Sequence, residues 1–291
     1  MIAYNHYIKF IPELKNDKKM KGTFTDIITI KQSKEKIISN EKQNMRYVNN
    51  QGREISVFSD GEYTRTIEGQ TWGLKVKDVV TFKWVSEKST IEYVPDKNFT
   101  YDLLEYWSLH IVLPLFFTLE EKYDFLHSGG VDVNGKAILF IADSGGGKST
   151  MTDYFIQQGH DLISDDKIGT YLEQDIICAV ASHPHHRPYR KSEDLGFFIN
   201  NVMKQPKPIY AIYELIPSNE YEKIKIVEVI DKIEKFKLLR SNTSMDLDFL
   251  EKLRFERLMM IAKYIPIYKV TIPWNLNRLN EVYKYILKNQ N

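Results

Sequence analysis

The stretch Ala142-Asp143-Ser144-Gly145-Gly146-Gly147-Lys148-Ser149 decides the fold of this chain. An apolar run, residues 136–141, precedes it, and a helix is predicted from about Lys148 to Gln158, with Gly159 just past its end. Three consecutive glycines let backbone N–H groups converge on a phosphate without Cβ clashes. The following helix adds its N-terminal donors. The stretch therefore predicts a phosphate-binding loop between a strand and a helix.

Two side chains in this loop carry specific chemistry. Lys148 is expected to reach the β- and γ-phosphates of a nucleotide, and the Ser149 hydroxyl to ligate Mg²⁺. Ala142 stands where the usual pattern begins with glycine. A purely structural glycine turn is the alternative, and it leaves Lys148 unexplained. The predicted nucleotide-binding residues are Ser144, Gly145, Gly146, Gly147, Lys148, Ser149 and Thr150.

A pair of aspartates follows the next short apolar strand, Leu162-Ile163-Ser164. In a parallel sheet the carboxyl ends of the strands lie at one edge, so Asp165 and Asp166 are expected near the phosphate loop. Mg²⁺ prefers a few carboxylates with phosphate oxygens, and a kinase needs a carboxylate beside the attacking hydroxyl. A turn or helix cap is the structural alternative. The spacing leaves open which aspartate would be the base.

The remaining pattern indicates an α/β fold with a β-rich N-terminal module over residues 1–98 and a second domain over residues 99–291. Asn134-Gly135 between two apolar runs predicts a hairpin that leads into the phosphate loop. Residues 101–121 predict a mostly buried helix. Other strands are predicted at 26–30, 45–48, 54–58, 79–85, 90–94, 168–172, 176–181, 209–216, 224–230 and 267–272, and helices at 246–265 and 276–287.

Composition narrows the class of protein. Forty basic and 39 acidic residues give a formal charge of +1, so no global field favours nucleic acid or an anionic membrane. The single cysteine, Cys178, lies in an apolar run and is expected to be a buried structural thiol. Residues 103–119 are expected to be too short and too interrupted to span a bilayer, and the N-terminus does not resemble a secretory signal. We therefore expect a soluble cytoplasmic protein, and the sequence leaves a homo-oligomer open.

Three blocks resemble the HPr kinase/phosphorylase family. Leu126-His127-Ser128-Gly129-Gly130-Val131-Asp132-Val133-Asn134-Gly135-Lys136-Ala137 is similar to the start of its catalytic domain. The glycine loop comes next, and Gly159-His160-Asp161-Leu162-Ile163-Ser164-Asp165-Asp166 resembles the segment after the loop helix. The resemblance covers about residues 125–290 and is weaker after residue 200. It implies a nucleotide-binding fold related to phosphoenolpyruvate carboxykinases.

The resemblance also implies an activity: phosphorylation of a serine hydroxyl with a nucleotide, ATP or another triphosphate, and Mg²⁺. Lys148 and Ser149 would be the phosphate and metal residues, and His127 would lie beside the active site. One of Asp165 and Asp166 would be the base and the other a metal or orienting residue. The predicted catalytic residues are Asp165, Asp166, His127 and Lys148, and the predicted metal ligands are Ser149 and Asp166.

One departure from the family concerns its later segment of the type Glu-Ile-Arg-Gly-Leu-Gly, which is linked to removal of the phosphate. The nearest piece here is Ser192-Glu193-Asp194-Leu195-Gly196, and this difference speaks against phosphorylase activity. The chain is more similar to the shorter HPr-kinase-like proteins, some of which phosphorylate a serine of a ribosomal peptide precursor such as a lasso peptide. The predicted partner is therefore a peptide or small protein with an acceptor serine.

The loop His183-Pro184-His185-His186-Arg187-Pro188-Tyr189-Arg190 is a further candidate. Its histidines could bind metal, but no cysteine or nearby carboxylate in the sequence supports a closed site. Arg187 and Arg190 could pair with the nucleotide or with an acidic substrate, and a solvated loop is the default interpretation. Two alternatives to the serine kinase remain open: a non-catalytic nucleotide-binding regulator of the same fold, and a kinase for a small hydroxylated metabolite.

Overall fold

The computed structural model describes residues 1–14, 24–35, 43–48, 53–62, 67–187, 192–244 and 250–290. The chain divides into two compact units. The first comprises residues 1–123, 190–195 and 247–253, and the second comprises residues 124–189, 196–246 and 254–291. The mixed α/β class predicted from the sequence is confirmed.

The first unit is built on one sheet whose eight strands pair in the order β1-β2-β3-β8-β7-β6-β5-β4. Strands β2, β3 and β8 are parallel neighbours, and β4 to β8 form an antiparallel meander. Inward apolar and outward polar residues alternate along β7, as a sheet with one buried face requires. The strands are β1 (Ile2–Ala3), β2 (His6–Ile11), β3 (Ile27–Gln32), β4 (Gln43–Val48), β5 (Glu54–Ser59), β6 (Thr71–Val76), β7 (Val80–Val85) and β8 (Thr90–Pro95).

A helical stretch completes the first unit. It consists of α1 (Tyr101–Trp107), a π-helical turn (Ser108–Val112) and α2 (Leu113–Leu119). The Tyr4 hydroxyl donates to the Leu109 carbonyl at 2.9 Å, and the rings of His6 and Phe117 lie 4.6 Å apart. The stretch thus packs within the first unit, whereas the sequence analysis placed it at the start of the second domain. The apolar side chains of this stretch are buried in tertiary contacts, and a local sequence pattern does not show which unit provides those contacts.

The same stretch is also longer and more continuously apolar than the sequence analysis expected. Tyr101–Leu119 is 19 residues long with a mean hydropathy of 1.2, which is enough by length and composition to cross a membrane. Within the described residues it is the one helical stretch that passes this test. However, 83% of it is buried inside the protein, and a buried core helix passes the same test. Its composition is therefore explained by packing.

The second unit contains a nine-stranded mixed sheet with helices. Its main path runs β12-β10-β11-β17-β14-β13-β9, and β19 pairs with both β17 and β18. Its strands are β9 (Asp124–His127), β10 (Gly129–Val133), β11 (Lys136–Ile141), β12 (Asp161–Ser164), β13 (Lys167–Glu173), β14 (Ile176–Val180), β17 (Lys207–Ser218), β18 (Lys225–Glu228) and β19 (Ile267–Pro273), with β15 (His185–His186) and β16 (Phe197–Phe198) forming a separate pair. Its helices are α3 (Lys148–Gln157), α4 (Lys232–Ser241), α5 (Glu251–Tyr264) and α6 (Leu279–Lys288), with a 3₁₀ turn at Leu276–Arg278.

Strand β11 is buried on both faces, which explains its unbroken apolar sequence. Leu139 and Ile141 belong to one apolar cluster, while Ile138 and Phe140 belong to another. Successive side chains of a strand point to opposite faces, so the two clusters lie on the two sides of the sheet. The strand that leads into the glycine loop is thereby fixed within the core.

The predicted hairpin between β10 and β11 is confirmed. Asn134 and Gly135 both have positive φ, 53° and 83° respectively, as a two-residue turn of the primed type requires. The Gly135 N–H donates to the Asp132 carboxylate at 2.7 Å. The register of this hairpin pairs Gly129 with Phe140, so β10 begins where β11 ends.

Candidate functional site

The glycine loop joins the end of β11 to the first turn of α3, as the sequence predicted. Gly145 and Gly147 have φ values of 78° and 93°, a region that side chains with a Cβ rarely adopt. A Cβ on Gly146 would lie 2.8 Å from the Ala142 Cβ and 3.0 Å from the Asp143 carbonyl oxygen. All three glycines are therefore needed for this loop conformation.

Lys148 is buried at the base of the loop. Its Nζ donates to the Ala142 carbonyl at 2.5 Å and approaches the Asp143 carbonyl at 3.4 Å. A buried ammonium is stable only when polar groups surround it, and these carbonyls belong to the loop itself. Ser149 is half-buried at the start of α3, and Ser144, Gly145 and Thr150 are exposed. The ammonium group of Lys148 is therefore held by the carbonyls at the start of the loop.

Two glycines at the start of β10 leave room for close neighbours, Gly129 on the side of α3 and Gly130 against Ile168 of β13. A Cβ on Gly129 would lie 2.3 Å from the Thr152 Oγ1, and a Cβ on Gly130 would lie 2.5 Å from the Ile168 Cδ1. Thr152 is buried in α3, where its hydroxyl donates to the Lys148 carbonyl at 2.9 Å. Gly129 thus permits the close approach of β10 to α3, whereas Gly130 makes room for the Ile168 side chain.

The sheet register brings the paired aspartates to the edge that carries the glycine loop. Strands β11 and β12 are both antiparallel to β10, so they run in the same direction. Ser164, the last residue of β12, pairs with Gly130 at the beginning of β10. The next residue, Asp165, therefore leaves the sheet on the same edge as Ala142. This is the arrangement that the spacing of the two motifs predicted.

Asp165 is the more buried aspartate of the pair, with a side chain 4% exposed. Its Oδ2 accepts from the Arg187 backbone N–H at 2.6 Å and lies 3.0 Å from the His186 Nδ1. Burial alone would raise the pKa of Asp165, but these hydrogen bonds and the nearby imidazole bring that pKa below its usual value. The carboxylate is thus ionised and already engaged in holding the segment around Arg187.

Asp166 is more accessible, with a side chain 17% exposed. Its carboxylate lies 3.1 Å from the Arg187 guanidinium and 3.2 Å from the His127 Nδ1, which also lies 3.1 Å from the Asp166 carbonyl. Burial raises the pKa of Asp166, but His127, Lys167 and Arg187 together hold it well below the usual range. The structure therefore brings the predicted residues Asp166 and His127 into contact.

Lys167 is a candidate site residue that the sequence analysis missed. It follows the aspartate pair directly, and burial lowers the pKa of its ammonium to about 8, with Asp166 opposing and Arg187 reinforcing the shift. Its charge is therefore sensitive to pH near neutrality, unlike that of an ordinary lysine. The adjacency Asp166-Lys167 was visible in the sequence, but the burial that perturbs the lysine was not.

His186 and Asp153 form a second feature that the sequence analysis did not predict. The buried His186 ring lies between two carboxylates, with Nδ1 3.0 Å from Asp165 and Nε2 3.3 Å from Asp153. Asp153 lies on α3, so the imidazole links the helix of the glycine loop to the aspartate pair. The three residues are far apart in sequence, and only the folded sheet shows that they are neighbours.

Metal binding by the histidine loop, which the sequence disfavoured, gains no support from the described residues. Within the described residues, no group of three or more His, Cys, Asp and Glu side chains could hold a metal ion by itself. Burial lowers the pKa of His183 to about 3, so its ring is neutral. Arg187 contacts Asp166, whereas Arg190 lies outside the described residues. Within the described part of the loop, His186 contacts Asp165, and Arg187 contacts both aspartates.

The sole cysteine plays no part in this site. Cys178 is buried in β14, and burial raises the pKa of its thiol. The expected buried structural thiol is confirmed.

Fold and site together define a mixed α/β unit in which a glycine loop and paired aspartates share one sheet edge. No protein-family model matches the chain. The HPr kinase/phosphorylases of Lacticaseibacillus casei (strain BL23) and Lacticaseibacillus paracasei are each 36% identical to it over 59 residues. Each match covers 20% of this chain and 18% of the relative, so the chain matches less than a fifth of the curated relatives' length.

A solved structure gives a second comparison. The HPr(Ser) kinase/phosphatase from Coxiella burnetii is 12% identical, with a TM-score of 0.34 over 57% of this chain and 99% of that one. This TM-score is too low to define a common fold for the two chains. The local sequence similarity nevertheless supports the HPr-kinase-like family that the motifs predicted.

Proposed function

We propose that this chain is a nucleotide- and Mg²⁺-dependent kinase that transfers a phosphoryl group to a serine hydroxyl of a peptide or small protein. The observation that carries the proposal is the shared sheet edge. Strand β11 ends in the glycine loop with the buried Lys148, and β12 ends in the ionised pair Asp165-Asp166. Phosphoryl transfer needs phosphate donors and carboxylates converging on one point, with little covalent chemistry from the protein.

The residues around the loop fit a bound triphosphate. The glycine backbone and the N-terminus of α3 supply N–H donors, and Lys148 exchanges its contact with the Ala142 carbonyl for phosphate oxygens. When bound, Mg²⁺ would supply positive charge that offsets the charge of the phosphates. The Ser149 hydroxyl and the Asp166 carboxylate are the groups that would hold it. The donor set suits Mg²⁺ because it combines few protein oxygens with phosphate.

The two aspartates have different roles in this proposal. Asp166 is ionised and partly accessible, and its strongly lowered pKa suits a metal ligand better than a proton acceptor. Asp165 is held by the Arg187 N–H and His186, so we assign it to positioning the loop. The pKa of Asp165 is lowered less strongly than that of Asp166, so we also assign to Asp165 the receipt of the serine proton. His127 orients Asp166 through their contact at 3.2 Å.

The proposal extends to the phosphoryl acceptor and to the cellular location of the protein. A ribosomal peptide precursor of the lasso type is the substrate that the resemblance favours, and it implies action in the cytoplasm. No nucleic-acid or membrane partner is proposed, and a homo-oligomer stays an expectation. The weak global charge of +1 suits a substrate recognised locally rather than by a broad electrostatic field.

The first prediction tests nucleotide binding. Lys148→Ala should lose most affinity for ATP with Mg²⁺, because the variant lacks the ammonium that meets the phosphates. Calorimetry measures the affinity, and circular dichroism checks the fold. Lys136→Ala is the matched control, since Lys136 is an exposed lysine at the first residue of β11, the strand that leads into the glycine loop. Equal affinity in Lys148→Ala and wild type would contradict the phosphate-loop assignment.

The second prediction separates a kinase from a regulator. Asp165→Asn and Asp166→Asn should both bind nucleotide yet lose about 10²–10⁴-fold in transfer rate, the range typical of a lost acid–base group. Excess Mg²⁺ should partly rescue Asp166→Asn and not Asp165→Asn. The measurement is transfer of labelled γ-phosphate to serine peptides at several Mg²⁺ concentrations. If the wild type binds nucleotide tightly but transfers phosphate to no hydroxyl, the protein is better explained as a non-catalytic regulator. If it transfers phosphate only to small hydroxylated metabolites, it is better explained as a metabolite kinase.

A further inference from the structure

An apolar pocket of about 220 Å³ lies beside the glycine loop, within the second unit. It is bounded by the first turn of α3, the end of β19 and the start of α6. None of its lining residues carries a charged side chain. Its principal walls are Gly147, Met151, Ile272, Trp274, Leu276 and Leu279.

The pocket opens at the sheet edge that carries the loop. Strand β17 is parallel to both β11 and β19, so the carboxyl ends of β11 and β19 face the same way. Ligands of α/β sheets bind at the carboxyl ends of parallel strands. The pocket and the glycine loop are therefore placed to hold two parts of one molecule.

The pocket wall touches the loop itself. A Cβ placed on Gly147 would lie 3.5 Å from the Ile272 Cδ1 and 3.8 Å from the Trp274 Cζ3. Gly147 immediately precedes Lys148, whose ammonium marks the proposed phosphate site. A molecule that places its phosphates on the loop therefore has an apolar cavity within reach of its other end.

Trp274 is anchored by its backbone yet keeps its ring accessible. Its N–H donates to the Ser218 carbonyl at 3.1 Å, and Arg278 nearby donates to the Glu220 and Glu222 carbonyls, each at 2.9 Å. The Trp274 side chain is nevertheless 58% exposed. A large aromatic face held open beside a phosphate site is suited to stacking with a flat heterocycle.

We infer that this pocket binds the aromatic base of the nucleotide whose phosphates occupy the glycine loop, with the base stacked against Trp274. The inference rests on the proposed nucleotide binding and extends it to the site of the nucleoside. The lining has no charged group and few polar side chains, Thr150 and Asn275 among them, so stacking and apolar contact, which every base can offer, dominate recognition. ATP and GTP should therefore bind with similar affinity.

Tryptophan fluorescence offers a direct reading of this site. The chain has four tryptophans, and Trp72, Trp84 and Trp107 are buried at 0%, 1% and 0% exposure, respectively. Trp274 alone of the four is exposed, so it should be the one whose emission a bound base quenches. ATP with Mg²⁺ should quench wild-type emission, whereas inorganic tripolyphosphate, which has no base, should bind without quenching. Trp274→Phe should remove the response to ATP.

Affinity measurements complete the test. Trp274→Ala should weaken ATP binding roughly 10- to 100-fold, the range expected for one lost stacking contact, and leave tripolyphosphate binding unchanged. Tyr221→Ala, which truncates an aromatic side chain that is 85% exposed, is the control and should bind both ligands normally. Leu276→Ala at the exposed rim of the pocket is a second variant that tests the same site should Trp274→Ala fold poorly.

The outcomes separate this inference from the function on which it rests. Lys148→Ala should weaken ATP and tripolyphosphate together, because both need the phosphate site. Unchanged ATP affinity in both pocket variants, or equal weakening of ATP and tripolyphosphate in Trp274→Ala, overturns the base pocket while leaving the phosphate loop intact. A wild-type protein that binds neither ligand overturns the loop and the pocket together.

Discussion

At the scale of single residues, the site is a set of buried charges that compensate one another. Asp166 is ionised because His127, Lys167 and Arg187 surround it, and Lys167 keeps part of its charge because Asp166 is adjacent. Breaking such a group leaves an uncompensated charge, which costs more than the intact pair contributes. The charges therefore have to be considered as a group.

The third prediction concerns Lys167. Its pKa of about 8 means that the positive charge beside Asp166 is lost as pH rises through that value. We expect the rate of phosphoryl transfer to fall over the same interval, since charge stabilisation is the main contribution of the protein. Lys167→Arg should abolish this fall, because a guanidinium stays protonated. The pH profile of kcat/KM for both proteins measures the effect.

Stability provides an independent measurement of the same lysine. Its pKa in the folded state, about 8, lies below the ordinary value of 10.5, so between these values the unfolded chain binds more protons. The free energy of unfolding should therefore rise with pH across this window. The rise should be smaller in Lys167→Arg, while the exposed control Lys136→Arg should behave as wild type. Identical pH dependences in all three proteins would show that Lys167 titrates normally.

At the scale of elements, the close approach of β10 to α3 determines where the glycine loop lies. Gly129 has no side chain, and the Thr152 Oγ1 occupies the space that a Cβ there would need. The hydroxyl of Thr152 in turn bonds the Lys148 carbonyl. The position of the proposed phosphate lysine therefore depends on a residue nineteen positions earlier in the chain, in a strand beside the helix.

The fourth prediction tests this contact with a double mutant. Gly129→Ala should destabilise the protein by about 1–3 kcal/mol through overpacking and should weaken nucleotide binding. Adding Thr152→Ala should restore much of both, because it removes the Oγ1 at 2.3 Å, and the next nearest atoms lie at 3.5 and 3.6 Å. Urea unfolding and calorimetry on the two single variants and the double variant give the coupling. Additive losses would mean that the two positions do not compete for space.

Local sequence patterns predicted the elements well where periodicity was strong. The hairpin, the glycine loop, α3 and the strand before the aspartates are all present, and residues 267–273 form the expected strand. The elements that were not predicted are helix α4 and strands β1, β2, β6, β9, β15 and β16. The expected helix over 246–265 runs over Glu251–Tyr264, and residues 245–249 lie outside the described residues. Short elements with mixed polarity give a weak periodic signal, so tertiary packing decides them.

The same limit applies to the site. The paired aspartates and the loop were predictable because each is a contiguous motif beside an apolar strand. The His186 ring between Asp153 and Asp165 was not, since those contacts join residues 33 and 21 positions apart. The lowered pKa of Lys167 depends on burial and on Arg187, which no local pattern encodes. Sequence therefore located the two candidate motifs better than the side chains that contact them.

At the scale of the whole molecule, the candidate site lies in one unit, and most of the tryptophans lie in the other. The glycine loop, the aspartate pair and the apolar pocket all belong to the second unit. Trp72, Trp84 and Trp107 belong to the first unit, and Trp274 belongs to the second. A variant without Trp274 therefore has tryptophan emission from the first unit alone, while circular dichroism follows both units.

The fifth prediction uses this division to ask where the nucleotide acts. At about a hundredfold excess over its Kd, a ligand that binds only the folded state stabilises it by about 2.7 kcal/mol. In Trp274→Phe with ATP and Mg²⁺ in that excess, the unfolding transition of the second unit, followed by circular dichroism, should move to higher temperature. The transition followed by tryptophan emission should stay where it is without ligand. If the emission transition moves by the same amount, the two units unfold as one cooperative structure and the nucleotide stabilises the whole chain.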